Sequence, residues 1–422
     1  MQLDLDFPVD GPQARSRPFG RTFRESQAMP VHRWYSYVEG FSASYLVSTL
    51  SGLEEVPGSV YDPFGGAGTT LVEASKRGIP TFFAEANPFM AFVTETKVNS
   101  AQWAARNRHI ATELLSEYRE RLLHSSFLAN ASVVDVDKYD SGLLRRNFFE
   151  RPHLNQLVYA LDLARDLERA EPHAGRLATL ACASNIVPCS NMTRRADLRR
   201  RKPGEYSRRV VNVPLSIAAS TNDILADLDS VDGEAPETSQ VASDCRLAPS
   251  SCDELFELAV TSPPYLNGTN YVRNTKLELL LLGLVDDENG LGPLRDAGVT
   301  AGITQAATSR GTEHSIEAVE VVARRLDVCA ADRRIPHLVR AYFSDMLVAM
   351  RAVYRTLKPN GKFILDIGDS KFYGVHVPTD RLLASIAESV GFSVERDRVI
   401  ARRVSRDKTP LVQVDLVLRK SL

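Results

Sequence analysis

The sequence has no paired-cysteine motif, no long apolar run and no dominant charge, and each absence closes off a class of protein. Its five cysteines, Cys182, Cys189, Cys245, Cys252 and Cys329, never fall into C-x-x-C spacing. That argues against a zinc or disulfide framework and for reduced thiols in a cytosolic protein. The longest apolar stretch, "LELLLLGLV" from Leu277 to Val285, is far too short to cross a bilayer. The start, "MQLDLDFPVDG", has no basic region followed by an apolar one, so no secretory signal is expected. A net charge of −2 gives no chain-wide attraction to polyanions, and any nucleic acid would have to be held by a local patch. No internal repeat is visible. What remains is an ordinary soluble composition, 44% hydrophobic and 25% charged over 422 residues, enough for one large α/β domain with an insertion or for two domains.

Patterning divides the chain into four parts. Residues 1–30, rich in Pro, Gly, Arg and Gln, are expected to form an irregular arm. Residues 31–100 open with "VHRWYSYVEGFSASYLVSTLSGL", which has helical spacing with an aromatic-rich start, and continue as strand, glycine-rich turn, helix and second strand. Residues 101–240 are largely helical, with amphipathic runs "HIATELLSEYRERLLH" and "HLNQLVYALDLARDLERA", followed by an arginine-dense segment and a polar linker near 230–240. Residues 241–422 resume strand–helix alternation and finish with two strands in hairpin order, "FSVERDRVIARRV" and "LVQVDLVLRK". The alternation predicts an α/β fold with a doubly wound, mostly parallel sheet, a terminal antiparallel hairpin and a largely helical insertion.

Two short stretches carry chemistry. In "YDPFGGAGTTLVEA", Gly65, Gly66 and Gly68 permit a tight turn and close approach of a ligand to the backbone between a strand and a helix. Glu85 ends the next strand, where nucleotide-binding α/β folds place the acid that takes ribose hydroxyls. The spacing departs from G-x-G-x-x-G, and Asp62 at the strand end would repel a pyrophosphate but suits a cationic ligand. S-adenosylmethionine, with a ribose, an ammonium, a sulfonium and no phosphate, fits this description. In "VTSPPYLNGTNYVRN", an apolar strand runs into Ser262, Pro263, Pro264 and Tyr265. Each proline removes a donor and fixes its own φ, so the strand stops in a stiff loop at its carboxyl end.

"DPFGGAGTT" and "TSPPY" together resemble the amino-group DNA methyltransferases, whose catalytic loop has the form (D/N/S)-P-P-(Y/F/W). "LKPNGKFILDIGDS", "NYVRNTKLELLLLG" and "HRWYSYVEGFSASYL" are similar to further segments of that family, and the matches cover most of residues 30–100 and 240–420. The resemblance implies that Asp62, Pro63, Phe64, Gly65, Gly66, Gly68, Thr69, Thr70, Glu85 and Asp244 bind S-adenosylmethionine, with Asp244 on the adenine amino group. It implies that Ser262 and the Pro263 carbonyl accept hydrogen bonds from an aromatic amino group, while Tyr265 stacks on a base flipped from double-stranded DNA. Ser262 at the head of the loop favours cytosine N4. Adenine N6, or amino groups of tRNA or ribosomal RNA, stay open as alternatives, as does a partner nuclease of a restriction or defence system. A protein-amide methylase and a non-catalytic DNA-binding homologue fit less well, the first because its loop begins with Asn.

The segment Ser190 to Val210 holds Arg194, Arg195, Arg199, Arg200, Arg201, Lys202, Arg208 and Arg209. These are the expected phosphate and base-edge contacts, and 101–240 is the first candidate for target recognition. A second candidate is the stretch from about 286 to 335, including "TSRGTEH". The pair Pro188–Cys189 matches the dipeptide of carbon-5 cytosine methyltransferases but follows a helical stretch, so Cys189 is expected to be a core thiol. Asp366 and Asp369 are read as base-pocket, capping or turn residues, and Lys276 and Glu278 as a surface ion pair in preference to cleft-lining residues.

Overall fold

The computed structural model describes residues 26–36, 40–194, 198–206, 209–266, 271–306, 314–404 and 410–421. Most of the expected N-terminal arm, Arg195, Arg208 and nearly all of "TSRGTEH" lie outside these residues.

A seven-stranded sheet organises the molecule: β1 (Val60–Asp62), β2 (Thr81–Ala84), β3 (Thr238–Ala242), β4 (Phe256–Thr261), β5 (Leu357–Gly368), β6 (Phe392–Val404) and β7 (Pro410–Lys420). The order across the sheet is β6-β7-β5-β4-β1-β2-β3. The five strands from β5 to β3 are mutually parallel, whereas β7 runs antiparallel to both β5 and β6. This is the doubly wound sheet with a terminal hairpin that the patterning implied. Strands β1 and β4 are almost continuously buried, as parallel strands covered on both faces must be. Tyr61 stacks on Phe256 across the β1–β4 pair at 4.7 Å between ring centroids.

One face is covered by the helix Ala43–Ser51, through Tyr45, Leu46 and Leu50 against Val60, Leu258, Ile364 and Val417. The other is covered by Arg334–Thr356 and Thr379–Val390. The latter ends at Gly391, whose φ of 117° closes the helix in a left-handed conformation that favours glycine. The insertion forms a layer of long helices, Arg108–Leu123, Arg151–Ala170, Pro172–Cys189 and Val213–Asp227. It shares one core with the glycine-turn region and with Leu277, Leu279, Leu280 and Leu281, which follow the proline loop.

One expectation fails locally. The helix expected from Val31 begins only at Ala43. Before it, a short 3-10 turn, His32–Trp34, is drawn down by buried polar partners. Asp227 accepts hydrogen bonds from the Val31 amide (3.0 Å), the Arg33 guanidinium (2.6 Å) and the Trp34 indole (2.8 Å), while His32 pairs with Glu73 at 2.8 Å. Satisfying these groups outweighs helical periodicity. The sheet-like run "SQVASDCRL" after the polar linker supplies most of the edge strand β3, which begins at Thr238 and pairs with β2.

Candidate active site

The neighbours of β1 and β4 lie on opposite sides, β2 beyond β1 and β5 beyond β4. Their carboxyl ends therefore open a crevice at the point where the winding reverses, the usual ligand site of such sheets. The glycine turn leaves β1 there, and the Ser-Pro-Pro-Tyr loop leaves β4. Asp62 ties the two together. Its buried carboxylate accepts hydrogen bonds from the Thr70 hydroxyl (2.6 Å), the Thr261 hydroxyl (2.6 Å) and the Phe64 amide (3.0 Å). Burial pushes the Asp62 carboxyl up to about 6, against the opposing pull of these donors.

Within the turn, Gly66 and Gly68 have φ of 52° and 79°, the left-handed region that favours glycine. Gly65 is needed for a different reason: a Cβ there would lie 2.9 Å from the Phe83 ring. Glu85, half-buried just beyond β2, accepts from the Gly66 amide (2.8 Å) and the Asn87 amide (2.8 Å). Burial moves its carboxyl up to about 7, with these two amides opposing the shift. Asn87 caps the helix Pro88–Glu95 through the Phe89 amide and donates to the Thr275 hydroxyl at 2.7 Å, joining the cofactor half to the segment after the proline loop.

A single cavity, about 1140 Å³ of empty space counting its open mouth, is lined by Asp62 through Ala67, Thr69, Thr70, Glu85 and Asp244 on one side. Ser262, Pro263 and Pro264 line the other. Gly68, in the turn itself, is the expected cofactor residue that does not line it. Tyr265 is also absent from the lining. Its amide donates to the Tyr271 hydroxyl (3.0 Å), and its own hydroxyl donates to Asp366 (3.0 Å) beside Gln413 (3.2 Å). Asp366 is therefore an anchor for the loop rather than a cap. Asp369 pairs with His376 at 2.8 Å. Asp244 caps a short turn through the Arg246 amide and is held by the Arg246 guanidinium at 2.8 Å, which also grips Asp345.

The arginine segment splits into inward and outward residues. Arg194 turns inward, where its guanidinium donates to Glu278 (2.5 Å), the Tyr35 hydroxyl (2.9 Å) and the Asn274 carbonyl (2.8 Å). Glu278 is fully buried. The pair expected at the surface is thus an interior network, and Arg194 belongs to the core, because a carboxylate in that position needs a cation beside it. Lys276 pairs with Glu288 instead, at 2.6 Å. Arg199 binds Glu205, and Arg200 meets the Arg146 carbonyl and lies over the Phe148 ring. The amides of Arg201 and Lys202 bond to the Asn191 carbonyl and to Glu205, and the Arg209 guanidinium donates to the Ser190 carbonyl at 2.7 Å. Cys189 is buried at a helix end, and burial moves its thiol up to about 11. That is the wrong direction for a thiolate nucleophile.

Several residues here escaped the sequence reading. Asn87 could have been found from "ANP", since asparagine before proline is a helix-start signal. Thr261, Tyr271 and Thr275 lie inside "TSPPY" and "NYVRNTKLELLLLG", motifs that assign them no role, and Gln413 carried no pattern that marks it.

The crevice of this α/β fold sets a glycine turn and a rigid proline loop around one cavity. No family model matches the chain. It is similar over nearly its whole length to Type II methyltransferases. One is M.AvaI of Nostoc sp., 21% identical over 407 residues, with 90% of this chain and 82% of that protein covered. Another is M.BsoBI of Geobacillus stearothermophilus, at 20% over 443 residues, covering 95% and 86%. A third is M.MvaI of Kocuria varians, at 22% over 389 residues, covering 84% and 80%. Among solved structures, the rRNA methyltransferase aviRa of Streptomyces viridochromogenes aligns over 95% of this chain and 88% of its own, at 10% identity and a TM-score of 0.27.

Proposed function

We propose that the chain is a DNA methyltransferase that moves a methyl group from S-adenosylmethionine to an exocyclic amino nitrogen, N4 of cytosine in the first instance. The observation that carries this reading is the meeting of Ser262, Pro263 and Pro264 with the glycine turn, Glu85 and Asp244 around one cavity. The similarity to Type II methyltransferases over most of the chain supports it.

The residues fit the cofactor. Asp62, Glu85 and Asp244 line the cavity, against Arg295 as the basic side chain among the described lining residues, a balance that suits a cationic ligand and not a pyrophosphate. Glu85 would take the ribose hydroxyls, Asp244 with its neighbours the adenine edge, and the backbone of Gly65 to Gly68 the methionine end. When bound, the cofactor supplies an electrophilic methyl group on sulfonium. The protein's task is to present the amine. An aromatic amino nitrogen is a weak nucleophile because its lone pair is spread into the ring. The Ser262 hydroxyl and the Pro263 carbonyl would accept its two N–H hydrogens and draw the nitrogen toward tetrahedral geometry. The paired prolines fix that carbonyl in advance, so little reorganisation is needed at the moment of transfer. Asp366 and Gln413 hold Tyr265 by its hydroxyl, leaving its ring to flank the target base. Outward arginines of the 194–209 segment would contact phosphates.

The test is incubation of the purified protein with isotopically labelled S-adenosylmethionine and either duplex DNA or RNA, followed by mass spectrometry of the nucleosides. N4-methylcytosine in DNA is the expected product. N6-methyladenine would move the assignment to adenine, and label confined to RNA would overturn the DNA reading.

A further inference from the structure

Beside the reaction cavity lies a second, open groove of about 1390 Å³ counting its mouth. Among the described residues that line it, Arg199, Arg200, Arg273, Lys276 and Arg295 are basic and Glu288 is acidic. A local excess of positive charge in a chain of net charge −2 is a focused field, not a diffuse one. Phe148 forms part of the wall, with Lys276 4.8 Å and Arg200 5.7 Å from its ring centroid. The groove and the reaction cavity are neighbours, with Val272 and Arg295 lining both.

The walls come from different halves of the sequence. One is the two-stranded ribbon Met192–Arg194 and Leu198–Arg200, and the other is the stretch that follows the proline loop. They are fastened to each other. The Arg194 guanidinium donates to the Asn274 carbonyl, and the Leu198 amide to the Asn274 side chain at 2.9 Å. These bonds join the ribbon to the segment after the proline loop, so the two walls are tied to each other. Glu288 holds Lys276 at 2.6 Å and Arg146 at 2.7 Å, an internal carboxylate where an external anion would sit.

Resting on the methyltransferase reading, we propose that this groove carries the phosphodiester backbone of the DNA strand whose target base enters the reaction cavity. Phosphates displace Glu288 from Lys276 and Arg146. The groove cations thus set affinity and register, while the base is read elsewhere. Arg273, Lys276 and Arg295 join the arginines of the ribbon as backbone contacts, and Glu288 acts as the competitor that keeps binding reversible.

The experiment is fluorescence anisotropy of a labelled duplex over a salt series, with the full chain and two variants. Arg273→Gln with Lys276→Gln should weaken binding and reduce the log–log salt slope by about 0.9 for each lost phosphate contact. Glu288→Gln should tighten binding, because the competitor is gone. S-adenosylmethionine affinity by calorimetry should stay unchanged in both. Unchanged duplex affinity and slope in the double variant, with its melting temperature retained, would overturn the proposal. If the double variant does not fold, Glu288→Gln decides alone, and equal or weaker binding sinks the idea. Preference of the groove for RNA over duplex DNA also counts against it. Methyl transfer by the wild-type chain is scored separately. DNA methylation with insensitive groove variants removes the groove and keeps the function, whereas sensitive binding without methylation does the reverse.

Discussion

Removing Arg194 should unfold the protein's middle before it disturbs any ligand. The guanidinium is mostly buried, and its partner Glu278 keeps 1% of its side-chain surface exposed. The Tyr35 hydroxyl, a neutral donor, would remain beside Glu278 at 3.0 Å. Breaking a buried pair from one side costs about 3–5 kcal/mol, since the other charge is left uncompensated. That is a large part of the 5–15 kcal/mol that typically holds a domain together. Arg194→Met should therefore lower the urea midpoint sharply. Adding Glu278→Gln to it should recover much of the loss, because the stranded charge is gone. A phosphate contact would behave differently: stability would be unchanged, and the salt slope of duplex binding would fall by about 0.9. A loss below about 1 kcal/mol for Arg194→Met, the value of an exposed pair, would refute the interior assignment, and so would a double variant no better than the single one.

Other outcomes follow from the site. Gly66→Val places a β-branched residue at φ 52°, a conformation it strongly resists, beside the amide that binds Glu85. S-adenosylmethionine affinity by calorimetry should fall at least tenfold, about 1.4 kcal/mol. Glu85 carries a carboxyl raised to about 7, so the folded state holds its proton more tightly than the unfolded chain does. Its stabilising share is complete below the usual glutamate range and is lost as pH rises through 7. Cofactor affinity should run the other way, rising toward pH 8 as the carboxylate forms, and Glu85→Gln should flatten that profile. Tyr265→Phe removes the hydroxyl held by Asp366 and Gln413. It should lower kcat while leaving cofactor affinity intact in single-turnover and binding assays. Cys189→Ala should retain methyl transfer, because burial keeps that thiol protonated; abolished activity in a folded variant would revive a covalent route.

The sheet was readable because its strands are short apolar runs bounded by glycine and proline, and because the last two stand in hairpin order. The two loops were readable for a stronger reason. Proline pairs and glycine triplets at strand ends have few conformations open to them, so their geometry is nearly fixed by composition. Charge was read least well. Arginine density in 194–209 says nothing about which way each side chain turns, and the burial of Arg194 depends on Glu278, eighty-four positions away. The helix expected at Val31 failed for a similar reason. Its aromatic spacing is helical, but Asp227 and Glu73 supply partners that hold the backbone otherwise. Long-range polar contacts leave no periodic trace in a sequence.

Because Leu277 to Leu281 are seated among the insertion's own helices, the insertion cannot be traded between relatives as a cassette. A chimera that imports only residues 101–240 would leave four leucines facing a surface shaped for other side chains. A working exchange of residues 101–240 has to move both stretches at once, although more than thirty residues of sheet and loop separate them in the chain.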